Sequence, residues 1–152
     1  MDDVLSAVEE VANGYHRLLL LVAPIASGKS DRMRSLSRDR GWPLINVNQV
    51  LTERLLELDA RERVLQCKKV MSDAIAVTDS QTVFLDNVEM LFEKHLQQDP
   101  LRLFQSLSRT TTLVVAWLGE FDGRYLSFAD PGHRDYRKYN EPEARVINMQ
   151  PA

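Results

Sequence analysis

The sequence has little of what defines several specialised classes of protein. Cys67 is the single cysteine, so an internal disulfide bond is excluded and we expect a reducing, cytoplasmic compartment. The histidines are scattered, and no Cys/His spacing is typical of a zinc site. The longest apolar run, residues 18–26, is far shorter than the roughly 20 residues of a membrane span. The acidic residues 1–3 do not resemble a signal peptide, so we expect no membrane partner.

An excess of basic charge is also missing. The 152 residues carry a formal net charge of −3, with 27% charged and 44% hydrophobic residues, which is typical of one globular domain. Domains that bind nucleic acid through charge are normally basic, so the net charge does not support DNA contact, although a local basic strip remains compatible with it. We therefore predict a single domain, residues 1–152.

The apolar segments are short, and their order indicates the fold class. Five segments have the length of strands, at residues 18–23, 44–47, 82–86, 113–118 and 124–128. The first is apolar throughout, which is typical of a strand buried on both faces of a parallel sheet. Gly119 is expected to end the fourth strand. The polar tail, residues 130–152, contains a possible edge strand at 145–147.

Segments with helical periodicity separate these strands. A short helix is predicted within residues 1–13, and longer helices over 28–41, 48–58, 61–76 and 88–107, the last with a break near Pro100. We expect Asn48 to cap the third helix and Leu65 to face inward from the fourth. Strands that alternate with helices predict a three-layer α/β/α sandwich with a mainly parallel, five-stranded sheet. Ligands of such sheets bind at the carboxyl ends of the strands.

A phosphate-binding loop is predicted after the first strand. The segment matches the P-loop pattern except for alanine in place of the first glycine, and it consists of Ala23, Pro24, Ile25, Ala26, Ser27, Gly28, Lys29 and Ser30. In such loops, backbone N–H groups and the helix N-terminus surround the phosphates. We predict that these residues and Asp31 bind ATP or another nucleoside triphosphate. Lys29 would contact the phosphates and Ser30 would hold Mg²⁺.

An acidic residue ends the predicted strand at 82–86. Asp86 follows apolar residues and resembles the Walker B aspartate, which holds Mg²⁺ opposite the P-loop serine; the alternative is a cap of the next helix. Many ATPases have a glutamate directly afterwards, but this chain has Asn87. Glu89 is then the candidate for orienting the attacking water, with stabilisation of a helix N-terminus as the alternative. Glu120 is a third choice. Hydrolysis and binding without hydrolysis therefore both stay open.

Three arginines are candidates for contact with a γ-phosphate. Arg109 precedes the fourth strand, while Arg124 and Arg134 lie in later loops. Each would act within its own subunit or on a neighbouring subunit, and the alternative for each is a solvated surface position. Arg109 is included with Lys29, Asp86 and Glu89 among the predicted catalytic residues.

Longer segments add a resemblance. Residues 86–92, 99–101, 107–109, 114–117 and 128–133, together with the phosphate loop, resemble BrxF, a family of small P-loop proteins of type III BREX phage-defence systems. The resemblance implies a bacterial cytoplasmic protein that acts with a methyltransferase and a helicase-type protein. It also implies an AAA/RecA-like P-loop NTPase core without a C-terminal helical lid, which favours a homo-oligomer or a partner that completes the site.

Three functions are compatible with these patterns. The first is an ATPase subunit that couples its nucleotide state to the assembly of partners or of a DNA complex. The second is a scaffold that binds nucleotide without hydrolysing it, which Asn87 favours. The third is a small-molecule kinase, and Ala26 argues against it because small kinases usually have glycine at that position.

Overall fold

The computed structural model describes residues 2–24 and 29–149, and the side chains of all of these except residues 2, 3, 29 and 30. Its helices are α1 (Asp2–Val11), α2 (Lys29–Arg40), α3 (Val47–Leu55), α4 (Ala60–Val77) and α5 (Pro100–Leu107). Its strands are β1 (Leu18–Ala23), β2 (Leu44–Asn46), β3 (Thr82–Asp86), β4 (Thr112–Phe121), β5 (Tyr125–Phe128), β6 (Arg137–Asn140) and β7 (Arg145–Asn148). No helix among these residues is long and apolar enough to cross a membrane.

The centre of the fold is a parallel sheet in the order β2-β3-β4-β1-β7. β1 pairs in parallel with β4 on one side and with β7 on the other, and all six of its residues are buried. This explains the apolar run that the sequence shows there, because a strand buried on both faces has no solvent-facing positions. The prediction of an α/β fold with a mainly parallel sheet is confirmed.

Helices cover both faces of this sheet. α1 and α2 pack on one face through a cluster that includes Leu19, Leu21, Met33 and Phe84. The other face carries a larger cluster with residues of α3, α4 and α5, which includes Leu20 and Cys67. Cys67 is fully buried, and this burial raises the pKa of its thiol to about 11. Alternation along β1 therefore distributes its side chains between two separate cores.

The end of β4 differs from the prediction. Gly119 does not end the strand, which continues to Phe121 and pairs antiparallel with β5, and β5 pairs antiparallel with β6. Within residues 2–24 and 29–149 the sheet thus has seven strands instead of the predicted five, because a β4–β5–β6 extension follows its parallel part. Gly119 is required there, since a Cβ atom would lie 1.9 Å from the carbonyl oxygen of Ser127. In the tail, residues 130–152, one edge strand was predicted, and β7 confirms it. β6 lies in the same tail and was not predicted.

Aromatic packing joins this extension to the parallel sheet. Trp117 is fully buried and donates its indole N–H to the carbonyl oxygen of Ser127 at 2.9 Å. The rings of Phe92 and Phe128 are stacked with centroids 3.5 Å apart, and both lie edge-on to Trp117. Tyr139 also packs on Trp117, and burial raises the pKa of its hydroxyl. The extension is therefore part of the main core.

Several predicted helical details are wrong. The predicted break near Pro100 is confirmed, since α5 begins there, but the residues before it form two 3₁₀ turns, Glu89–Phe92 and Lys94–Leu96, instead of an α-helix. Asn46 caps α3, since its side chain accepts from the backbone N–H of Gln49, while Asn48 lies inside the helix. Leu65 faces solvent and is 67% exposed.

Candidate functional site

The predicted phosphate loop lies only partly among the described residues. Ala23 is buried at the end of β1, and Pro24 is exposed directly after it. Residues 25–28 lie outside the described part of the chain. Lys29 and Ser30 are the first two residues of α2, as the P-loop pattern predicts. Asp31 is exposed and contacts Arg34 of the same helix at 3.2 Å, which favours a solvated helix face for this pair.

Asp86 ends β3 and is a buried carboxylate, with only 5% of its surface exposed. Its Oδ1 atom accepts a hydrogen bond from the backbone N–H of Asn87 at 2.9 Å. Asp86 alternates with Val83 and Leu85 along the strand, so it projects on the same face as Phe84, which belongs to the cluster under α2. The carboxylate and the first turn of α2 therefore lie on one face of the sheet.

The order of the strands fixes the separation of these two elements. β4 lies between β1 and β3, and adjacent strands are about 4.8 Å apart, so the ends of β1 and β3 are about 10 Å apart across the sheet. The pairing register sets Asp86 one residue beyond Leu85, which is opposite Val115, whereas Ala23 is opposite Leu118. Asp86 is therefore recessed below the end of β1.

A hydrogen-bond network ties the Glu89 segment, which follows β3, to the start of α3. Asn48 donates its side-chain N–H to Glu89 Oε2 at 3.1 Å, and its Oδ1 atom accepts the backbone N–H of Met90 at 2.9 Å. The backbone N–H of Asn48 donates to the carbonyl oxygen of Asn87 at 2.8 Å. Three hydrogen bonds thus fasten the start of α3 to the segment after β3. They orient the Glu89 carboxylate and fix the assignment of the Asn48 amide.

Asn87 has an unusual backbone conformation. Its φ of +51° lies in the left-handed region, which asparagine tolerates better than most residues. The chain turns sharply there, directly after Asp86, and the first 3₁₀ turn begins at Glu89. Glu89 is therefore brought to the carboxyl edge by a tight turn. The alternative in which Glu89 only stabilises an α-helix N-terminus loses its basis, because no α-helix begins there.

Asn48 is a site residue that the sequence analysis missed. It lies in an open pocket of about 340 Å³ with residues of β2, α3 and the β3 end, including Asn46, Thr52, Glu53 and Asn87. The available signal was its position two residues after a strand end, at the same sheet edge as Asp86. From that position we predicted that Asn48 caps α3 instead.

The residues present fit a magnesium ion bound together with phosphate. Asp86 provides a carboxylate and Ser30 a hydroxyl, both hard oxygen ligands of the kind that Mg²⁺ prefers. Proteins usually hold Mg²⁺ through one or two such groups and the phosphates of the substrate. Among the described residues, no group of three or more His, Cys, Asp or Glu side chains is arranged to hold a metal ion.

Arg109 does not lie with the other candidates. It precedes β4, so it lies at the amino edge of the sheet, and its guanidinium stacks on the ring of Tyr15 at 3.7 Å from the centroid. β1 has six residues and spans about 20 Å, which is beyond the reach of an arginine side chain. Contact between Arg109 and the phosphate loop of its own subunit is therefore a wrong expectation. Contact with a neighbouring subunit stays a prediction.

The other two arginines lie beyond the carboxyl edge. Arg124, in the turn between β4 and β5, donates to Asn140 Oδ1 at 3.3 Å. Arg134 is exposed between β5 and β6. Neither makes a contact with Asp86 or Glu89 among the described side chains. Both remain compatible with contact to a neighbouring subunit.

Similarity to known proteins does not identify this site. No protein-family model matches the chain, and no curated protein matches it. The assignment of the candidate residues therefore rests on the geometry of the carboxyl edge and on the sequence pattern that leads into α2.

Proposed function

We propose that this protein is a Mg²⁺-dependent, ATP-binding P-loop NTPase with an AAA/RecA-like core. One observation carries the proposal. A buried aspartate ends β3 on the sheet face covered by α2, and α2 begins with Lys29 and Ser30 directly after the adjacent P-loop pattern. A phosphate at the start of α2 would meet the positive end of the helix, and Asp86 would lie below it.

Each residue has a role that follows from its chemistry. Lys29 binds the phosphates as a point charge, and Ser30 and Asp86 hold Mg²⁺. Mg²⁺, when bound there, would neutralise part of the negative charge of the phosphates. Glu89 orients the attacking water or accepts its proton, because its carboxylate is fixed at the same edge by Asn48. Asn48 is a positioning residue, since it acts through Glu89.

A scaffold that binds ATP without hydrolysis is the second candidate. Asn87 occupies the position after Asp86, and an amide does not accept a proton from water as a carboxylate does. Glu89 also already has a hydrogen-bond partner in Asn48, which stabilises it in one position. Phosphate release distinguishes the two candidates directly.

The resemblance to BrxF extends the proposal to phage defence. The segments that carry it are linked in the fold, since Phe92, Trp117 and Phe128 form one aromatic cluster and Asp86 precedes the first of them. This supports a role as an ATPase subunit that changes its contacts with a methyltransferase, a helicase-type protein or DNA when nucleotide binds. A Lys29→Ala allele in a complete type III BREX system should restore plaque formation, and unaltered protection would contradict this role.

The direct test compares wild-type protein with Lys29→Ala. Both are titrated with ATP and Mg²⁺, and released phosphate is assayed in the same samples. We expect Lys29→Ala to weaken ATP binding about 100-fold, because a charge-assisted contact with phosphate is lost. Lys69→Ala is the matched control, since Lys69 is a helical lysine that pairs with Asp73 on the surface of α4.

Three results are informative. Binding and phosphate release that are both lost in Lys29→Ala would support an ATPase. Binding without release would support the scaffold. ATP binding that survives in Lys29→Ala at the level of Lys69→Ala would refute the phosphate loop, and with it the proposed function.

A further inference from the structure

A second open cleft lies at the carboxyl edge, between the ends of β1 and β7 and the β4–β5–β6 extension. Its volume is about 530 Å³, within the range of about 300–1,000 Å³ that is common for small-molecule sites. One wall is formed by the ends of β1 and β7, with Pro24 and Asn148, and the other by the β4–β5–β6 extension. The cleft therefore begins at Pro24, the second residue of the phosphate-loop pattern.

The wall formed by the extension has an ordered set of side chains. Glu120, Ser127 and Lys138 lie opposite one another on adjacent antiparallel strands, so their side chains share one face of the extension. The opposite face carries Phe128 and Tyr139, which pack on Trp117 in the core. The extension thus has one buried aromatic face and one polar face, and the polar face lines the cleft.

Two tyrosines complete this lining. The ring of Tyr125 is covered by the ammonium of Lys138, at 4.4 Å from the centroid. Tyr136 also lines the cleft and is partly exposed, and no described aromatic ring or cation stacks on it. Tyr136 therefore offers a ring face to a ligand, while Glu120 and Asn148 offer hydrogen-bonding groups nearby.

We propose that this cleft holds the nucleoside part of the nucleoside triphosphate. The inference rests on the proposed function, because it takes the phosphates to lie at the start of α2. In the sheet order, Asp86 and Glu89 lie on the β3 side of β1, so the metal and the attacked end of the triphosphate occupy that side. β7 flanks β1 on its other side, so the nucleoside extends toward β7, along the cleft that begins at Pro24.

The chemistry of the cleft suits a base and a ribose. A base stacks on an aromatic face, and the loss of one such contact weakens binding by roughly ten-fold or more. Carboxylate and amide groups at the rim match the amino groups of a base or the ribose hydroxyls. The pocket on the β2 side, lined by Asn46, Asn48 and Asn87, contains no aromatic residue and lies beside the water-orienting candidate. The cleft that begins at Pro24 therefore suits a nucleoside better than the pocket on the β2 side.

The test separates nucleoside contacts from phosphate contacts with two probes, ATP and inorganic tripolyphosphate, each with Mg²⁺. Two variants alter the cleft: Tyr136→Ala removes the ring, and Ser127→Phe fills the polar face. Tyr15→Ala is the matched control, since Tyr15 is an exposed tyrosine at the opposite edge of the sheet. Circular dichroism and thermal unfolding establish that each variant is folded, and Tyr136→Ala suffices if Ser127→Phe does not fold.

We expect the cleft variants to weaken ATP binding about ten-fold and to leave tripolyphosphate binding unchanged, while Tyr15→Ala alters neither. If folded Tyr136→Ala binds ATP as tightly as wild type, or loses tripolyphosphate equally, the nucleoside site is refuted and the phosphate loop stands. Wild-type protein that binds neither probe would overturn both the cleft assignment and the proposed function.

Discussion

The two edges of the parallel sheet are built differently. The carboxyl edge carries a buried carboxylate, an oriented glutamate and the start of α2, and it also has two open pockets. At the amino edge, two polar side chains make contacts within the fold. Arg109 stacks on Tyr15, and His16 is hydrogen-bonded to the carbonyl oxygen of Gln105 at 3.1 Å.

The difference between the two edges predicts where a substitution should alter ligand binding and where it should alter only the stability of the fold. Parallel sheets direct ligands to the carboxyl ends of their strands because helix N-termini and strand-end loops meet there. The amino edge receives the carboxyl ends of helices and holds the connections into β1 and β4. Substitutions at the two edges should therefore separate into effects on nucleotide and effects on stability.

The largest effect is expected for Glu89→Gln. A positioned general base contributes about 100-fold or more to rate, so phosphate release should fall by at least that factor while ATP affinity changes little. Glu93→Gln is the control, because Glu93 follows in the same segment and contacts His95 at 3.5 Å. Unchanged turnover in Glu89→Gln would show that Glu89 does not orient the attacking water, and it would favour a scaffold that binds ATP without hydrolysing it.

Asp86→Asn should have the next largest effect. The amide keeps an oxygen that accepts from the Asn87 N–H, so the fold is retained, but the charge that attracts Mg²⁺ is lost. We expect ATP affinity in Mg²⁺ to fall about ten-fold, to the value measured in EDTA. Asp135→Asn is the control, because Asp135 is also buried, at 8% exposure. A full Mg²⁺ dependence in Asp86→Asn would show that Asp86 is structural.

Much of the carboxyl edge could be predicted from the sequence. β1 is apolar over its whole length, and β3 is apolar over residues 83–85, because neighbours cover both faces of each strand. The predicted strands at 18–23 and 82–86 therefore have the bounds that the structure gives. The position of Asp86 follows from the end of β3. The P-loop pattern likewise predicts the start of α2 at Lys29.

The remaining features depend on contacts between distant segments. β6 has alternating, half-exposed residues and charged side chains, so the apolar-run criterion does not detect it. Asn48 belongs to the site because it forms hydrogen bonds with the turn after β3, which lies about 40 residues later in the chain. The edge on which Arg109 lies follows from the start and the direction of β4. The start was predicted to within one residue, at 113 instead of Thr112, but the direction of the strand was not used.

Gly119→Ala tests whether the extension is a rigid part of the carboxyl edge. A Cβ atom 1.9 Å from the Ser127 carbonyl would force β5 away from β4 and from the Trp117 indole, so the free energy of unfolding should fall by about 1–3 kcal/mol. Chemical denaturation measures this. Gly132→Ala is the control, because its Cβ atom meets nothing within 4 Å. Equal stability of the two variants would show that the extension moves independently of the core.

The smallest effect is expected for Arg109→Ala, and it tests the comparison itself. The variant loses a cation–π contact with an exposed tyrosine, so the free energy of unfolding should fall by about 0.5–1 kcal/mol. ATP affinity should not change in protein that sedimentation shows to be monomeric, because Arg109 lies a strand length away from the start of α2. Lost affinity in the monomer would contradict the separation of the two edges. If turnover is lost only at concentrations where subunits associate, Arg109 acts on the neighbouring subunit instead. Such a contact requires the amino edge of one subunit to meet the carboxyl edge of the next.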